Sequence, residues 1–220
     1  MNVHAIRQRT GAENQLIEAF IQRVGALPGN TAVSIARDEA VEHLKIHGLP
    51  TRRVESWHYT DLRTLLRDIP VGADSATQKY EPLAAGSHVF RIIDGEAHPA
   101  HAIVGVTITP LSAKLEDGSF ARALRLQGDD DAIGALSTAF VTNGFHVTIA
   151  DGTELEQPLE VQTIAHREGH SRLAFNVGRG VKATIIDRHL GGDAFVSSIS
   201  HLMLGDGAEM TWIIDQERGE

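Results

Sequence analysis

His43 and His47 stand four residues apart in a stretch that reads as helix, a spacing at which two imidazoles on one face can share a metal ion. The residue after His43 is Leu44, not the glutamate that a helical zinc hydrolase needs. A solvated helix C-terminus, whose dipole favours histidine, explains the pair equally well. His98 with His101 and His166 with His170 are further pairs of nitrogen donors, placed in expected loops or strand ends. Twelve histidines in 220 residues generate such pairs by chance. Asp129, Asp130 and Asp131 offer oxygen ligands for a cation, and they suit equally the capping of a helix just after them.

Phosphate chemistry has one candidate. Gly178-Arg179-Gly180-Val181-Lys182-Ala183 fits the G-x-G-x-x-A string whose glycines bring a pyrophosphate close to a helix N-terminus. The next residues, Thr184-Ile185-Ile186, are β-branched and strand-like, and Gly205-Asp206-Gly207 repeats the pattern, so a recurring turn is the better reading. There is no Gly-x-Ser-x-Gly, no phosphate-loop string and no recognisable pair of catalytic carboxylates. Cysteine is absent, which removes disulfides, thiolate nucleophiles and thiolate metal ligands from these residues. No residue is therefore assigned as catalytic, cofactor-binding or metal-ligating, and the expectation is a chain that is not an enzyme.

The densest polar and aromatic cluster is Thr51-Arg52-Arg53-Val54-Glu55-Ser56-Trp57-His58-Tyr59-Thr60, in a chain only 5% aromatic. Trp57 and Tyr59 can anchor a partner's surface or pin a connection between two helices. The balance of 29 acidic to 20 basic residues, a formal charge of −9, argues against a broad nucleic-acid or anionic-membrane surface while leaving room for a small basic patch. No apolar run reaches the ~18 residues of a membrane span, and the N-terminus lacks the apolar core of a signal peptide. A soluble cytoplasmic protein is expected.

The elements that must carry these residues change character along the chain. Leu16, Ile17, Phe20, Ile21 and Val24 keep helical spacing over about 13–24. A second helix is expected to start near Ser34 as N-cap, to bury Ile35, Ala36, Ala40, Leu44 and Ile46, and to end at Gly48. A third, over about 60–67, carries Leu62, Leu65, Leu66 and Ile69 behind Thr60 or Asp61. Residues 1–70 thus read as a small helical domain and 71–87 as a linker of small and polar residues. From 88 to 220 short strands dominate, at 88–94, 144–150, 159–165, 172–177, 182–187, 194–204 and 209–215, with a short helix over 132–140. The run Val177 to Ile186 aligns with Leu204 to Ile213 at an offset of 27 residues, and Ala150-Asp151-Gly152 precedes the first copy by about the same interval. Strands and glycine turns at such a period point to a solenoid; a β-sandwich shares much of the same spacing.

The segment Gly48-Leu49-Pro50-Thr51-Arg52-Arg53-Val54-Glu55-Ser56-Trp57-His58-Tyr59-Thr60-Asp61-Leu62 resembles the N-terminal signature of the SufB/SufD family of iron–sulfur cluster assembly scaffolds, on its SufD side. It departs at His58, where the family carries Lys or Arg. Ala135 to Gly144 is similar to a second family segment, with Ser137 for Asn and Asn143 for Asp. Ile149 to Leu159 is similar to a third, a strand and glycine turn leading to an acidic-x-Pro-Leu step.

The resemblance implies a mainly β fold, a right-handed parallel β-helix preceded by the helical N-terminal domain. It implies a non-catalytic scaffold subunit of the SUF machinery that pairs with a SufB-like paralogue and a SufC-like ATPase. Iron or an iron–sulfur cluster belongs to the full complex, and no cofactor is assigned to these residues. It further implies a longer protein, with the partner contacts mostly beyond Glu220, and a homodimer is a further state the chain could adopt. SufB itself and a stand-alone carbohydrate-active β-helix protein are the alternative identities.

Overall fold

The computed structural model describes residues 8–70, 72, 80–99 and 101–218. Much of the segment expected to be a linker, residues 71 and 73–79, lies outside the described residues. The elements are α1 (Gly11–Arg23), α2 (Thr31–His47), α3 (Leu62–Leu65), β1 (His88–Ile93), β2 (Glu96–His98), β3 (Val106–Pro110), α4 (Leu111–Glu116), α5 (Ala132–Phe140), β4 (Asn143–Ile149), β5 (Leu159–Ala165), β6 (Gly169–Val177), β7 (Lys182–Gly191), β8 (Val196–Leu204) and β9 (Glu209–Arg218).

The helices begin where short polar side chains can satisfy free N–H groups. Thr10 and Glu13 form a reciprocal capping box at α1. Asn30, not Ser34, caps α2: its Oδ1 accepts from Ala32 N and Val33 N at 3.0 and 3.2 Å. Asp61 caps α3 and Asp131 caps α5. Leu16, Ile17 and Phe20 are buried as their spacing predicts, whereas Ile21 and Ile35 are 65% and 54% exposed. On α2, Arg37 takes a buried place that a hydrophobic residue would normally fill.

The strands form two sheets. One has the order β2-β1-β5-β7-β9 and the other β3-β4-β6-β8. From β5 onward successive strands alternate between the sheets, and each pairs in parallel with the strand two places on, as Lys182 with Glu209 and Gly169 with Val196. The 27-residue recurrence in the sequence coincides with these registers. Gly178 N donates to Ile149 O and Gly205 N to Val177 O, both at 2.8 Å, so the glycine turns stack. Gly180 and Gly207 adopt φ of 65° and 70°, the left-handed region that glycine enters without a Cβ clash.

The expected mainly β parallel β-helix is not what the chain forms. The structure is an α/β fold with two mixed sheets, 29% helix and 34% strand. β2 runs antiparallel to β1, and β3 antiparallel to β4. The recurrence that suggested a uniform solenoid covers only the later strands and says nothing of residues 96–116, where β2, β3 and α4 lie. The second sheet is also covered by helix: α5 is buried along nearly its whole length and packs on β6 and β8, with α2 stacked on α5. One apolar core lies between the sheets, around Phe90, Phe145, Leu159, Leu173, Phe175 and Ile185. Another joins α1, α2 and α5 through Leu16, Phe20, Val41, Leu44, Leu136 and Phe140.

Candidate functional site

The polar and aromatic segment at 48–62 is held at both ends and raised in the middle. Gly48 ends α2 at φ 63°, its N–H reaching Leu44 O. The N–H of buried Leu49 donates to Glu13 Oε1 at 2.9 Å, while Glu13 Oε2 accepts from Thr10 N at 2.8 Å. One buried carboxylate thus caps α1 and fixes the exit of α2. Arg63 N donates to Pro50 O at 3.1 Å, which closes the far end of the segment. Between these anchors a short 3-10 turn, Glu55–Trp57, is tied by Ser56 Oγ to Asp130 Oδ2 at 2.9 Å. Trp57 is half-buried, but Tyr59 is 90% exposed, its ring meeting that of His58 edge-on. Tyr59 therefore does not pin the turn; it is presented to solvent.

Arg37 fastens the helical layer to the rest. Its guanidinium donates to the carbonyls of Thr138, Ala139, Val141 and Pro28 at 2.7–3.0 Å, capping the C-terminus of α5 with a buried cation. Burial, with help from nearby Arg172, lowers its pKa to about 10, still far above neutrality. Arg172 reaches Ser137 Oγ, Thr138 Oγ1 and the carbonyls of Ala123 and Gly134 from β6. Two arginines thus grip α5 through its backbone and hydroxyls, and among the described residues no carboxylate pairs with either guanidinium. Sequence reading passed over both, because an arginine at a core position looks like an interruption of the apolar pattern until its carbonyl partners are known.

A third network links the sheets to α1. Ser197 Oγ lies 2.7 Å from His170 Nδ1, His170 Nε2 lies 3.0 Å from Glu168 Oε1, and Arg23 pairs with Glu168 at 2.9 Å. Desolvation raises the Glu168 pKa, but the hydrogen bonds from His170 and Arg23 outweigh it and bring the carboxyl down to about 2. The order hydroxyl, imidazole, carboxylate is that of an activated nucleophile. Here, however, Ser197 is 6% exposed and His170 is enclosed by Phe140 and Phe195, so no substrate atom can approach the hydroxyl. The network orients the turn between β5 and β6 beneath α1.

Several of the other residues singled out from sequence have partners within the fold. His43 and His47 stack with ring centroids 4.5 Å apart, and His43 Nε2 meets Asp129 O at 3.1 Å. His166 lies against Asp94 and His170 against Glu168, so that pair does not converge; His98 and His101 are both exposed. Asp131 caps α5 through Gly134 N, and Asp130 holds Ser56. Gly178 to Ala183 leads into β7 and not into a helix, which removes the dipole a pyrophosphate needs. Among the described residues no group of three or more His, Cys, Asp or Glu is placed to hold a metal ion. No described helix is long and apolar enough to cross a membrane.

Residues 10–71, which include α1, α2, α3 and the raised segment, match the family model described as SufBD protein N-terminal region. Among curated proteins none matches the chain. That segment is thus similar to the N-terminal region shared by the SufB and SufD proteins, and the match does not separate the two paralogues.

Proposed function

We propose that the chain is a scaffold subunit of the SUF iron–sulfur cluster assembly machinery, of the SufD type, working in the cytoplasm with a SufB-like paralogue and a SufC-like ATPase and without catalysis of its own. The observation that carries this reading is the match over residues 10–71 to the SufBD N-terminal region. Within that segment the Gly48 to Leu62 signature is clamped by Glu13 and Arg63 and presents an exposed crest, as a protein-contact element requires. The SufD assignment rests on the short helical region that leads directly into the Trp57-His58-Tyr59-Thr60 run.

Anaerobic affinity purification of the protein at its native length, from its own host, tests the reading. Co-purification of a SufB-type subunit and a SufC-type ATPase is expected. Recovery of neither overturns the scaffold role, and recovery of a SufD-type partner in place of a SufB-type one assigns the chain to the paralogue.

A further inference from the structure

Beside the raised segment lies an open groove of about 810 Å³, walled by Arg52, Arg53 and Arg63 and floored by Thr10 and Thr51. In a chain of net charge −9 this concentration of guanidinium groups is a local reversal of sign. Arg63 is held in place, its NH2 donating to Gln8 O at 2.5 Å and its Nε 3.5 Å from Glu13. Arg52 and Arg53 are exposed, and their side chains have no hydrogen-bond or ion-pair partner among the described residues. Their backbone is fixed: Val54 N donates to Thr51 O at 3.0 Å and Arg53 N to Thr51 Oγ1 at 3.3 Å. The groove thus offers two free guanidinium forks on a set turn, next to a third that is anchored.

The remaining wall decides which anion fits. Asp61 lines the groove and already occupies the first turn of α3, accepting from Thr64 N at 2.9 Å. A compact dianion such as phosphate would meet that carboxylate where it seeks N–H donors. Separate carboxylates spread along an extended segment can each meet one guanidinium and avoid Asp61. A long polyanion would extend past the three arginines along a chain of net charge −9, whereas a short segment keeps its charges within about 8–10 Å of the guanidinium groups, the range over which salt leaves the attraction effective. Tyr59, on the same loop and 90% exposed, offers a ring to an apolar residue of the segment.

We infer that the Arg52/Arg53/Arg63 groove is a docking site for a short acidic segment of a partner protein. The inference does not depend on the SUF reading, since it rests on the charge and shape of this groove alone.

Fluorescence anisotropy with a fluorescein-labelled glutamate-rich peptide tests it, with labelled single-stranded DNA and unlabelled tripolyphosphate as the other anions. Peptide binding should weaken with salt and fall about tenfold in the double variant Arg52→Ala, Arg53→Ala, whose side chains are free in the folded protein. Arg179→Ala, which removes an exposed arginine paired with Asp151 on another face, should leave it unchanged. Unaltered circular dichroism of the double variant keeps the comparison one of binding and not of folding. Equal peptide affinity in the wild type and the double variant overturns the proposal, as does tighter binding of DNA or tripolyphosphate than of the peptide.

Discussion

Glu13 Oε1 accepts the backbone N–H of Leu49 at 2.9 Å, joining the first turn of α1 to the residue that leaves α2, 36 positions along the chain. Both groups are buried. A carboxylate in an apolar interior persists only when its oxygens are satisfied, and here Thr10 N and Leu49 N take one each while Arg63 stands nearby. Glu13→Ala should therefore destabilise the protein by about 2–4 kcal/mol, through loss of the cap and of the buried bond to Leu49 N–H. Glu13→Gln keeps an acceptor for Leu49 and should lose less. Urea unfolding of the two variants reads the difference, and equal losses would remove the role given to the Leu49 bond.

Arg37 is the second buried charge whose deletion should be felt far from its own helix. Arg37→Met preserves much of the volume but strands the carbonyls of Thr138, Ala139, Val141 and Pro28. About 3–5 kcal/mol of stability should be lost. Hydrogen exchange should show faster opening in α5 before α1, because the carbonyls freed are mostly those of the α5 C-terminus.

Stability should also depend on acid through Glu168. Its folded pKa of about 2 lies below the ordinary value of 4.5, so the unfolded chain binds the proton more tightly. The carboxylate's contribution is complete above about pH 4.5 and is lost as pH falls toward 2. With solvent reaching Arg23, the amount is on the order of 1–2 kcal/mol. Glu168→Gln should flatten that part of the stability profile measured by thermal melts across the acid range. An unchanged slope would show that other carboxylates carry it.

Two glycines separate backbone conformation from backbone contact. Gly180 has φ 65° with open space where a Cβ would stand, so Gly180→Ala should cost about 1 kcal/mol, the penalty of the left-handed region alone. At Gly144 a Cβ would lie 1.8 Å from Arg172 O, on the neighbouring strand β6. Gly144→Ala must shift the β4–β6 ladder and should cost about 3 kcal/mol or more. Comparable melting temperatures for the two variants would contradict this ordering.

Much of the element pattern was legible without coordinates. The strand segments at 88–94, 144–150 and 159–165, and those after them, appear as β1, β4 and β5 to β9, because alternation or a short β-branched run bounded by glycine is a local property. The signature at 48–62 was equally visible, and it is the part that the SufBD N-terminal match includes. Less visible were β2 and β3: Glu96–His98 and Val106–Pro110 are short, and each is fixed by an antiparallel partner rather than by its own composition. Ser34 looked like a cap because it precedes an apolar run, yet Asn30 sits one helical turn earlier with N–H groups within reach of its side chain.

By itself, then, the sequence determined the periods of the elements, the recurrent glycine turns, the absence of thiol chemistry and the family likeness of one segment. Each of these is set by neighbours along the chain. Only the tertiary structure decided that the sheets are mixed and one of them covered by helix, that Arg37 and Arg172 are core residues, that His166 and His170 turn to separate carboxylates, and that Arg52 and Arg53 face an open groove beside Arg63. Those facts depend on which distant carbonyl, carboxylate or cavity comes within about 3 Å of a side chain, the range of a hydrogen bond, and separation along the sequence carries no measure of that distance.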